Sequence, residues 1–165
     1  MPATYEPIAT TTLGSASSTI TFSSIASSWT DLRLVIVGIS GTSTNIALRF
    51  NSDTGSNYSR IRLIGNGSAA SSTIAFNDTE IDLNRENLST TIPSLYTVDI
   101  FSYAGSTNKT LLASVNEDRN GSGSVISVVG MWRNASAITT ILITTLSGDT
   151  FGIGTIATLY GIKNF

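Results

Sequence analysis

The stretch DLRLVIVGIS, residues 31–40, decides the fold. Leu32, Leu34 and Ile36 fall on one side of a period-two pattern and Arg33, Val35 and Val37 on the other, which is the alternation of a β-strand. STITFSSI (18–25) repeats it, with Ile20, Phe22 and Ser24 sharing a face. Outward from these, short runs of Val, Ile, Thr and aromatics recur between Gly, Ser and Asn clusters. They predict strands over 5–13, 18–25, 31–40, 45–51, 59–66, 73–83, 94–104, 109–117, 124–134, 138–146 and 154–163. Asn66-Gly67, Asn120-Gly121 and Gly148-Asp149 supply the positive φ that tight connections require. SSWTDL (27–32) allows one helical turn at most, with Trp29 as a plug over the end of the core.

The expected architecture is all-β: a single-domain antiparallel β-sandwich over 1–165, jelly-roll-like, with 1–8 as an extended N-terminal arm. An immunoglobulin-type sandwich is the alternative, although its Cys-Trp-Cys pattern is absent. Phe22, Leu34, Ile36, Leu48, Phe50, Ile100, Val128, Ile141, Leu159 and Ile162 are expected to face the interior. No repeat, linker or charge run divides the chain.

Composition narrows the function. Charged residues make up 12% of the chain, about half the usual ~25%, while Ser and Thr together reach roughly 30%. A net charge of −2 with scattered basic residues offers no footprint for nucleic acid. No apolar stretch approaches the ~20 residues of a membrane span, and MPATYEPIATTT lacks the pattern of a secretory signal. With no Cys and no His, disulfides, thiolate nucleophiles, Ser-His-Asp systems and the commonest metal ligands are excluded by residue type. Seven N-x-S/T sequons, at Asn57, Asn66, Asn77, Asn87, Asn108, Asn120 and Asn134, are what a chain rich in Asn, Ser and Thr generates by chance.

NDTEID (77–82) places Asp78, Glu80 and Asp82 at alternate positions. Calcium could use such carboxylates, but residues two apart on a strand lie about 6.5–7 Å apart, so a solvated polar face is expected and no metal or other cofactor is assigned. No spacing nominates a carboxylate pair for glycoside hydrolysis, and no phosphate loop is present, so no catalytic residue is assigned.

RFNSDTGSNYSR (49–60) is read as a built turn. Asp53 and Asn57 are expected to bond the backbone and Gly55 to supply a positive φ. Tyr58 closes this polar turn, where a ring needs a ligand, a partner or a local cover.

RFNSDTGSNYS (49–59), VGMWRNASAITTILI (129–143), FGIGTIATLYGIK (151–163) and the opening YEPIATTTLGSASSTITFSSI (5–25) together resemble a family of small β-rich virion proteins of tailed bacteriophages. The resemblance spans nearly the whole chain, and its most specific parts are the turn with Asn51, Asp53, Thr54, Gly55, Asn57 and Tyr58 and the closing ATLYGI (157–162). It implies a structural protein with a jelly-roll-like fold and no enzymatic activity, found either on the head or in the tail. Without shaft-like or collagen-like repeats or a long attachment helix, the chain suits a compact ornament. The expectation is therefore a capsid decoration or cement protein, made in the host cytoplasm and placed on the virion's capsid surface. Its partners would be the major capsid protein and itself, as a homotrimer at local threefold positions, with neither nucleic acid nor membrane. Tyr5, Asn51, Asp53, Asn57 and Tyr58 are the candidate partner-binding residues. A tail-fibre tip or baseplate protein recognising host carbohydrate is the alternative.

Overall fold

The computed structural model describes residues 5–41, 45–84, 89–146 and 148–163. Twelve strands form two antiparallel sheets around one core, and no helix occurs among the described residues. The larger sheet runs, in spatial order, β1 (Tyr5–Thr12), β12 (Ile156–Ile162), β3 (Asp31–Gly38), β8 (Ser94–Phe101), β9 (Lys109–Asp118), β10 (Gly123–Trp132), β5 (Tyr58–Gly65) and β6 (Ala70–Asp78). The smaller runs β2 (Thr19–Phe22), β11 (Ile141–Thr145), β4 (Ile46–Phe50) and β7 (Ile81–Asp82). The chain thus changes sheet repeatedly, staying within one only for the β5–β6 hairpin and the β8–β9–β10 meander.

β3 shows how the sequence dictates this. Leu32, Leu34 and Ile36 are fully buried, while Arg33, Val35 and Val37 face outward. Leu34 lies between Val98 of β8 and Leu159 of β12, and Phe22, Leu48, Phe50 and Ile141 of the smaller sheet belong to the same core. Burying each such side chain contributes about 1.5–3 kcal/mol. The all-β expectation holds, and nine of the ten expected core residues are buried. Ile162 is the exception: Leu159 and Gly161 point inward, so alternation turns Ile162 outward, where it is only half-buried.

Other boundaries differ for local reasons. The expected strand over 73–83 begins at Ala70 and breaks after Asp78. The Asn77 φ of 60° and a bend at Thr79 and Glu80 pass the chain to the other sheet. SSWTDL makes no helical turn; Asp31 and Leu32 are already β3. Trp29 does cover an end of the core, packed over Gly161 with the Lys163 ammonium 4.7 Å from its ring centroid. A Cβ at position 161 would lie 2.1 Å from the indole, so only glycine permits this contact. Residues 5–8 of the expected arm belong to β1 and pair with β12; residues 1–4 and Asn87 lie outside the described residues.

Candidate functional site

The 49–60 turn is wired to its own molecule. Asn51 and Ser52 take φ of 51° and 57°, so the positive φ expected at Gly55 sits here instead. The Asn51 amide donates to the Ala137 carbonyl at 2.7 Å, and its oxygen accepts from the Thr139 and Thr140 N–H groups at 2.8 and 3.0 Å. Asp53 accepts from the Gly55 N–H, the Asn57 amide and the Trp132 indole N–H at 2.8, 2.9 and 2.7 Å. Gly55 is required for closeness: a Cβ there would meet the Asn57 amide nitrogen at 2.8 Å. Burial pushes the Asp53 carboxyl up, but the Trp132, Asn57 and Gly55 donors outweigh it and hold it below the ordinary carboxylate value.

Tyr58 is fully buried within the chain. Its cover is local: the ring stacks on Trp132 at 6.3 Å and lies 6.3 Å from Phe50, while Phe50 and Trp132 are 5.7 Å apart. The hydroxyl accepts from the Phe50 N–H at 3.0 Å and donates to the Asp53 carbonyl at 3.1 Å. Burial pushes it up to about 12. The polar rim and aromatic floor therefore form one structural unit joining β4, β5 and β10.

The acidic cluster is equally occupied, by arginines. Arg60 pairs with Asp78 and, at 3.4 Å, with Asp82; Arg62 reaches Asp82 at 3.2 Å and Arg49 reaches Glu80 at 2.8 Å. Three arginines balance three acids, and Arg62 is 3% exposed, so the expected solvated strand face is a packed ion-pair network joining β4 and β5 to β6, β7 and the bend between them. Burial raises the Asp82 carboxyl even against the opposing pull of Arg62 and Arg60. Among the described residues no group of three or more acids could hold a metal ion.

What remains unsatisfied is the outer face of the larger sheet. β5 is inverted: Arg60 and Arg62 turn toward the smaller sheet, while Ile61 and Leu63 turn to solvent, more than half exposed. The register extends this apolar surface across four strands, with Leu112 of β9 beside Val129 of β10, Val129 beside Ile61, and Ile61 beside Ile74 of β6. Val129, Ile61 and Ile74 of that row, with Phe76, Met131 and Arg133, line a shallow groove of about 380 Å³. Within these rows Thr110, Ser114, Asn116, Ser127, Ser59 and Ser72 fill the gaps between apolar residues, and charge enters at the margins, with Asp118 exposed at the end of β9 and Arg133 just past β10.

Toward β1 the same face carries one cationic centre, already neutralised. Arg33 donates twice to Asp99, at 2.5 and 2.8 Å. Tyr5 stands over this pair, its ring 5.3 Å from the Arg33 guanidinium and 6.3 Å edge-on from Tyr160. Of the five expected contact residues, Tyr5 is exposed and lies on this face; Asn51, Asp53, Asn57 and Tyr58 serve the turn. The apolar rows were missed, although their signal was present: strands apolar on both faces, such as LRLVIV, need cover on both. Comparison of the chain with protein-family models, with curated proteins and with solved structures finds no match.

Proposed function

We propose that the protein is a non-catalytic assembly subunit, a capsid decoration protein of a tailed bacteriophage that seats the outer face of its larger sheet on capsid protein. The observation that carries this reading is the apolar surface centred on Leu112, Val129 and Ile61, a contiguous patch of the kind that marks protein contact sites. The four strands of this surface, at about 4.8 Å spacing and each about 25 Å long, cover roughly 500 Å², and the whole eight-strand face roughly 1,000 Å², against the ~800 Å² per partner of a stable interface. The resemblance to phage virion proteins supplies the partner class. Without the β5–β6 and β9–β10 pairs, the strand orders reduce to β1-β12-β3-β8 over β2-β11-β4-β7. That order supports a jelly-roll winding, with the two added pairs widening the docking face.

An apolar contact of this kind responds little to salt, unlike one driven by ion pairs. Purified protein should co-sediment with capsids lacking it, equally at low and high salt, and Val129→Asp should reduce binding on the order of a hundredfold while leaving the fold intact. Adhesion to host cells with indifference to capsids would transfer the face to host recognition.

A further inference from the structure

Among the described residues the two sheets have four outermost strands, and three of these edges are blunted. β1 carries Pro7 and a register shift between Pro7 and Ala9; β2 has four residues and β7 two. Proline, bulges and shortness are how sheet proteins discourage further pairing. The fourth edge has only one of these defences, a bulge at Asn77 at its very end, where the register against β5 shifts between Tyr58 and Ser59. β6, ASSTIAFND, is nine residues long, pairs regularly with β5 from Ser59 to Gly65, and is uncharged from Ala70 to Asn77. It is held rigidly at its end, where Arg60 pairs with Asp78 and Arg133 donates to the Asn77 side chain at 2.8 Å. Phe76 and Ile74, at 69% and 68%, are the two most exposed large apolar side chains among the described residues, and both lie on this strand.

We propose that β6 pairs antiparallel with β6 of a second copy across a two-fold axis, joining the two larger sheets into one of sixteen strands. The observations select this occupant. A straight edge presents N–H and C=O groups at every second residue, and only another strand satisfies them in order. The identical edge fits by symmetry, brings no like charges together, and covers Ile74 and Phe76 with the partner's apolar side chains. An axis perpendicular to the sheet leaves both outer faces on the same side, so the pairing covers the edge of the face at Ile74 and Phe76 and sets the Leu112, Val129 and Ile61 rows of the two copies side by side. It closes at two copies, whereas a ring of three would require a different edge to receive β6, and the other edges are blunted. The inference is independent of the capsid reading.

The test is the mass of the full chain in solution by light scattering, together with hydrogen exchange over 70–78. A discrete two-chain species with slow exchange in β6 is expected. Ile74→Lys and Ser72→Lys place like charges along the shared edge at positions exposed in the monomer, and should weaken association on the order of a hundredfold and speed exchange in β6. Thr10→Lys on β1 should leave the dimer intact. A monomer, a trimer, or a dimer that resists Ile74→Lys yet dissociates with Leu112→Lys would overturn the proposal; the last would show pairing through faces. Thermal melts matching the parent keep loss of folding from imitating loss of pairing.

Discussion

Asp53 and Tyr58 show how a turn with the composition of a binding loop becomes a structural joint. Tyr58 contributes its ring to the Phe50 and Trp132 cluster and its hydroxyl to two backbone groups, so Tyr58→Phe strands the Phe50 N–H and should cost about 1–3 kcal/mol in chemical denaturation. Phe50→Ala removes the cluster's floor and should cost about 3–5 kcal/mol. Asp53 predicts a pH dependence of defined sign. Its folded value lies below the ordinary one, so the folded chain binds that proton less readily than the unfolded chain. The stabilisation is present above the unfolded value of about 3.9 and is lost as pH falls through it toward the folded one. Asp53→Asn should flatten the acid limb of melting temperature against pH; an unchanged slope would place the acid sensitivity elsewhere.

At the scale of elements, β5 and β7 are joined by charge. Asp82 lies between Arg60 and Arg62, and Asp82→Ala removes the carboxylate that the two guanidiniums share, an effect of about 3–5 kcal/mol. Chelator should leave the parent's melting temperature unchanged, because the carboxylates are engaged by arginine; a chelator-induced drop reproduced by alanine at Asp78, Glu80 and Asp82 would restore a cation site. Much of this level was legible in the sequence. Period-two alternation locates β3 and its buried side, and the Asn-Gly pairs mark hairpin turns, with Gly67 at φ 83° and Asn120 and Gly121 at 56° and 115°. Strict counting from Leu159 would also have turned Ile162 outward. The polarity of β5 was not legible: its inner side buries arginines because acids from distant β6 and β7 meet them there, and no local pattern announces a partner twenty residues away. Tyr58 misled for the same reason, since its cover, Trp132, comes from β10.

For the whole molecule, the sandwich fills its core and still leaves apolar rows on the far side of the larger sheet. A sequence shows which residues are apolar but not which of two apolar faces the protein covers with itself, so the contact surface proposed above is β9, β10 and β5, on the face that also carries Tyr5, in place of the turn at 51–58. Side-chain oxidation footprinting, comparing free protein with protein on capsids, tests this most directly. Leu112, Phe101 and Met131 on the outer face should be oxidised in free protein and protected on the particle. Ile153, 65% exposed in the loop before β12, should stay reactive in both. Protection of Ile153 with undiminished oxidation of Leu112, Phe101 and Met131 would contradict the account.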